Sequence, residues 1–173
     1  MRRLLKIGRD RAGTASVELV FLAPVIITLL FGLYEGTQAV LAYMKLINSC
    51  QTVADLVTQQ KTVAASDIDD FVTGGQMVMQ PLSTASLGFA IASVTFDPNS
   101  GTASVAWQDT RNATAMTNAA TLANSYGTKG ESVIIVKATY TYSSWLHYVL
   151  PGTLTMSQIA YSRPRLIASI PHS

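Results

Sequence analysis

No charged residue stands between Leu19 and Leu33, while the leader from Met1 to Gly13 carries Arg2, Arg3, Lys6, Arg9 and Arg11 against the single acid Asp10. An α-helix rises about 1.5 Å per residue and a bilayer core takes roughly 20 mostly apolar residues, so the run from Val17 to Tyr34 is long enough to span, with Glu18 near one end. Basic residues gather ahead of this run, and the first one after it is Lys45. That asymmetry predicts a cytoplasmic amino terminus and an extracytoplasmic remainder.

A cleaved secretory signal peptide also opens with basic residues and an apolar core. Here the run is longer than the usual core of about 7 to 15 residues, and the residues after it offer only a weak small-residue cleavage site at Gly36 and Gln38. An uncleaved signal anchor fits the length but leaves Glu18 unexplained. A carboxylate at the edge of a hydrocarbon core costs a few kcal/mol unless it finds a partner or stays at the headgroups. Glu18 therefore reads in two ways. It either caps the first helical turn beside the positive end of the helix dipole, or it pairs with a cation that the function supplies.

The segment Gly13-Thr-Ala-Ser-Val-Glu18-Leu resembles the processing site of type IV pilin-like proteins. The wider run from Arg9 to Val25, with Val17-Glu18-Leu19, Ala23-Pro24 and a second glutamate at Glu35, is similar to the TadE/TadG-like family of the tight-adherence (Tad) pilus, with Leu19 in place of the more usual aromatic. Met156 to Arg165, closing on Arg163-Pro-Arg165, is similar to the family's last strand and ending. The resemblance covers residues 9 to 60 and, more loosely, 130 to 165.

This resemblance implies cleavage by prepilin peptidase between Gly13 and Thr14. It also implies that Glu18 neutralises the new α-ammonium group of Thr14 on its own or a neighbouring subunit during assembly. The implied role is that of a non-enzymatic pseudopilin, or minor pilin, in assembly or initiation of an adhesive pilus. The implied partners are prepilin peptidase, other Tad pilins and pseudopilins, an inner-membrane assembly platform and membrane lipid. Pro24 removes one backbone hydrogen bond inside the span and is expected to kink the helix.

The leader holds five of the twelve basic residues and one of the ten acids, so the chain beyond it has seven against nine, a net of −2. Those charges are scattered and give no footprint for nucleic acid. After the span enough chain remains for one small domain. The expected organisation is a leader (1–13), a transmembrane helix (14–35), an amphipathic extension (36–65), an extracytoplasmic α+β domain (66–165) and a tail (166–173).

In the extension, Val40, Tyr43, Ile47, Cys50, Ala54 and Val57 recur at helical spacing, with Gln38, Lys45, Asn48, Ser49, Gln51, Thr52, Asp55 and Gln59 opposite. This predicts one bent helix from Ala15 to Lys61, about 70 Å long, whose seam packs on the carboxyl-terminal domain or on another subunit. Ser66 or Asp67 is positioned to cap a second helix, Ile68 to Gln80, ended by Pro81. Asp67, Asp69 and Asp70 suit a charged helix start better than a calcium loop, since the glycine and bidentate glutamate of such a loop are missing.

Period two then takes over in Ala92, Val94 and Phe96. It resumes after the turn Asp97-Pro-Asn-Ser-Gly101 in Ala103, Val105 and Trp107, which predicts a hairpin. Arg111 to Tyr126 drifts weakly towards helix. Ile134, Val136, Ala138, Tyr140 and Tyr142 define a strand, and Leu154 to Tyr161 a last one. About four antiparallel strands with one or two helices make an α+β domain.

No catalytic, cofactor or metal constellation emerges. His147, beside Trp145 and Tyr148, and His172 in the tail lack ligand partners or a nucleophile motif. Cys50 on the apolar seam is expected to be a buried small hydrophobe, with an intermolecular disulfide as the alternative. Asn112-Ala-Thr114 matches a glycosylation sequon without further context. Tyr140, Tyr142, Trp145, Tyr148 and Tyr161 suit sheet packing, or else a sticky surface that would make the chain an uncleaved membrane-anchored adhesin or binding module. A tethered enzyme is the remaining class, and it would need a bound ligand or metal.

Overall fold

The computed structural model describes residues 12–144 and 152–173, with side chains from residue 16. One helix, α1 (Ala12–Thr58), runs without interruption through the apolar run and the amphipathic stretch. It is followed by α2 (Ala65–Met79), the strands β1 (Gly88–Phe96) and β2 (Ala103–Arg111), a short α3 (Ala119–Ala123), and the strands β3 (Ser132–Ser143) and β4 (Thr153–Ser162). The strands form one antiparallel sheet in the order β2-β1-β3-β4. The α+β architecture is the one the sequence predicts.

Two apolar clusters lie on opposite faces of this sheet. Phe89, Ile91, Ile134, Val136, Ala138, Tyr140 and Tyr142 pack beneath α1 and α2. Ala90, Ala92, Val94, Phe96, Val133 and Ile135 pack beneath Met116, Ala119 and Ala123. The central strands β1 and β3 are therefore buried on both faces, as apolar, β-branched strands must be. The alternation read along β3 assigns Ile134, Val136, Ala138, Tyr140 and Tyr142 to one face, and all five are in the helix-covered cluster. Arg111 to Tyr126 supplies only the short α3, yet that helix closes the second face.

The buried face of α1 differs from the predicted seam. Ala39, Ala42, Leu46, Ser49, Cys50, Val53, Ala54 and Val57 are buried, whereas Val40 is 59% exposed and Tyr43 40%. Ala39 and Ala42 are small enough to let the helix lie close to the sheet, which turns bulky Val40 outward. Tyr43 stays at the rim and its hydroxyl donates to Gln158 Oε1 at 3.2 Å. Ser49, expected on the polar side, is buried because α2 packs there, and its Oγ donates to the Gly75 carbonyl at 2.7 Å. A Cβ on Gly75 would stand 2.7 Å from Val53 Cγ2 and 2.9 Å from Phe89 Cζ, so only glycine admits α2 at this distance. A helix wedged between a sheet and another helix buries a wider arc than a single seam.

Helix α1 ends at Thr58, three residues short of the expected Lys61, and α2 begins at Ala65 rather than Ile68. Asp67 does the capping, but from inside the first turn: its Oδ2 accepts the Ala64 N–H at 2.9 Å. In the hairpin, Asp97 Oδ1 accepts the Asn99 and Ser100 N–H groups at 2.8 and 2.7 Å. These bonds and that of the Ser100 hydroxyl hold the Asp97 carboxyl below its ordinary pKa. Gly101 closes the turn at φ +77°, where a side chain would be strained. A bulge between Ser93 and Val94 shifts the register of β1 against β2.

The tail, residues 166–173, packs on the body. Ile170 is fully buried, its carbonyl accepts the Trp107 Nε1–H at 2.7 Å, and Val63 N–H donates to Pro171 O at 3.1 Å. Arg165 ties the end of β4 to the end of α1 through its backbone N–H to Thr58 O at 3.1 Å and its guanidinium to Asp55 at 3.0 Å.

Candidate functional site

The amino-terminal half of α1 behaves differently from the rest of the chain. From Ser16 to Tyr34 every residue is exposed except half-buried Ala23 and Gly32. Leu19, Val20, Phe21, Leu29, Leu30 and Leu33 are all more than 60% exposed. Apolar surface of this extent is not left in water by a stable monomer. At about 1.5 Å per residue, residues 16–34 extend about 28 Å, close to the roughly 30 Å of a hydrocarbon core. Among the described residues this is the one helix long and apolar enough to cross a membrane.

Gly13 and Thr14 fall in the first turns of α1, and Glu18 is exposed one turn further on. The rest of the leader, residues 1–11, lies outside the described residues. The helix continues through Pro24, which has no N–H for the Val20 carbonyl; the Thr28 hydroxyl bonds back to the Pro24 carbonyl at 2.8 Å. In a bilayer that bond gives the Thr28 hydroxyl an acceptor where water is absent, and the Val20 carbonyl is a different group.

Glu35, the second acid, lies seventeen residues beyond Glu18, about 25 Å along the helix, so the two carboxylates do not form one site. Glu35 is 2% exposed and accepts a hydrogen bond from the hydroxyl of Ser144, also 2% exposed, just past β3. Its burial was not readable from helical spacing. The available signal was an acid directly after an apolar run and four residues before Ala39, on the face that proves to be buried.

Other candidate side chains have structural employment. Cys50 is fully buried, which is incompatible with the intermolecular disulfide; its thiol donates to Val136 O at 3.2 Å, and burial pushes its pKa up to about 11. Asp69 pairs with Arg111, which also bonds Asp109. His172 lies against Trp107 with ring centroids 5.1 Å apart and the planes tilted at 45°, and stands 3.8 Å from Asp109. Tyr140 and Tyr142 are core residues, and Tyr161 stacks on Tyr126 at 3.9 Å. Trp145, His147 and Tyr148 lie outside the described residues. Among the described residues no cluster of three or more His, Cys, Asp or Glu side chains could hold a metal. An open cleft of about 600 Å³ beside α2, lined by Thr73, Gln76, Gln80 and Ser83 among others, presents no charged side chain.

An apolar stem exposed along its length, joined to a small α+β body, defines a single-stem membrane-anchored protein. A family model described as TadE-like protein matches residues 13–55, the stem and most of the extension. No curated protein and no solved structure matches the chain.

Proposed function

We propose that this chain is a non-enzymatic pseudopilin that takes part in assembly or initiation of a Tad-type adhesive pilus. The observation that carries the reading is a coincidence of boundaries. The TadE-like match starts at Gly13, where the resemblance puts the cleavage site, and it contains all of the exposed apolar stem.

In this reading prepilin peptidase cuts between Gly13 and Thr14 on the cytoplasmic face, and residues 14–35 cross the inner membrane with a bend at Pro24. The body faces the periplasm and meets other Tad pilins, pseudopilins and the assembly platform. The new amine at Thr14 needs a counter-charge in a low-dielectric setting, and once the leader with Asp10 is removed Glu18, one turn away, is the nearest carboxylate along the chain. Removing one partner of a buried pair costs roughly 3 to 5 kcal/mol because the other charge is left stranded.

The test compares Glu18→Ala and Glu18→Gln. Both variants should insert at wild-type levels, since losing a charge makes the span more apolar. Filaments counted by electron microscopy should be absent or sharply reduced. Wild-type piliation in both, with membrane levels confirmed by blot, would overturn the assembly role given to Glu18 and favour an uncleaved anchored adhesin.

A further inference from the structure

The stem meets the body at Glu35. It is the first buried residue of α1 after the exposed stretch, and Ser144, which donates to its carboxylate, stands at the same end of the sheet just past β3. A buried carboxylate is a poor source of stability, because its desolvation must be offset by donors before anything is gained; an apolar residue would serve better. What such a group can supply is a fixed position.

The surrounding helix is continuous but carries two glycines. Gly32 and Gly36 bracket Glu35, and glycine is the ordinary residue whose backbone freedom most loosens a helix interior. No close approach demands it at Gly36, where an added Cβ would meet nothing within 4 Å. One turn further on, Ala39 and Ala42 are buried against the body, so any bending freedom is confined to the residues before them. Tyr142 lies close enough for Glu35 to contribute, after burial, to the upward shift of its phenol pKa, which places the carboxylate beside the end of β3 as well as beside Ser144.

We propose that residues 32–36 form a hinge between the membrane stem and the body, and that the Glu35–Ser144 contact is the latch that holds it at one angle. Glu35 is then a positioning residue that decides how the body stands on the span. The inference rests on the membrane reading of the stem, and its test reads an angle rather than filament formation.

Spin labels at Ile27→Cys and Gln51→Cys, both on α1 and beyond Pro24, bracket the hinge in the full chain reconstituted into lipid nanodiscs. Cys50 is buried and stays unlabelled. In the wild-type background the distance distribution should be narrow and centred near 36 Å, the length of a straight helix over that interval at about 1.5 Å per residue. Glu35→Ala and, separately, Ser144→Ala should broaden it at least twofold and shorten its mean, with the melting temperature of the body used to show that the fold persists. Adding Gly36→Ala to Glu35→Ala should narrow it again. An unchanged distribution in both single variants, or broadening that Gly36→Ala does not reverse, would overturn the proposal. Protection of the Ile27 label from water reports the membrane reading separately.

Discussion

Cys50 is held as a thiol by its surroundings. It sits under β3 with its hydrogen on the Val136 carbonyl, and burial raises its pKa from 9.0 to about 11 despite opposing backbone hydrogen bonds at Ala138 and Ala160. At pH 8 only about one molecule in a thousand carries the reactive thiolate, and the side chain is inaccessible as well. Iodoacetamide at pH 8, followed by intact mass, should leave the folded protein unmodified over an hour and alkylate it fully in denaturant. Rapid modification of the folded protein would contradict the burial. Because the folded state prefers the protonated thiol, this group's contribution to stability is complete below pH 9 and is lost as pH rises towards 11.

Elements were readable to different depths. Strand β3 was legible because Ile134 to Tyr142 alternate in residue type and both faces need apolar cover, so the pattern survives whichever helix lands on it. The seam of α1 was legible only as a period. Which arc turns inward depends on Ala39, Ala42 and Gly75 permitting close approach, and that is a property of neighbours rather than of the helix alone. The start of α2 was misplaced because Asp67 caps backwards, a geometry that identical residues do not distinguish from a forward cap. The carboxyl-terminal segment was missed because its bonds to Val63, Trp107 and Ser132 join residues far apart in sequence. It is expected to contribute substantially: Ile170→Ala should lower stability by about 2 to 5 kcal/mol, the range for truncating a fully buried aliphatic side chain. Urea unfolding of the variant checks this, and a loss below about 0.5 kcal/mol would mean that the segment does not seal the core.

As a whole the molecule is a body on a stem, and the two depend on each other very little before Glu35. No side chain from Ser16 to Tyr34 is buried. A chain lacking everything before Glu35 should therefore keep the melting temperature of the body within a few degrees, measured by circular dichroism in detergent for both forms; collapse of the transition would show that the stem supports the fold. The four strands form one body and the stem is exposed, and the TadE-like match lies over the stem and most of the extension, residues 13–55. Of the two carboxylates given roles in the proposals, Glu18 was singled out by its spacing after Gly13, whereas the burial of Glu35 showed only once Ser144 was seen against it. The reach of that contact, from residue 35 to residue 144, is beyond any local pattern.

In the proposed function the stem is a processed pseudopilin anchor rather than a simple signal anchor. Intact mass and amino-terminal sequence of the protein from a host with its own prepilin peptidase test it most directly. The mature chain should begin at Thr14, lighter than the precursor by about 1.5 kDa, and Gly13→Val should abolish the cut while the protein remains in the membrane. A mature chain that begins at Met1, or one that begins beyond Gly36 without the stem, would contradict the claim.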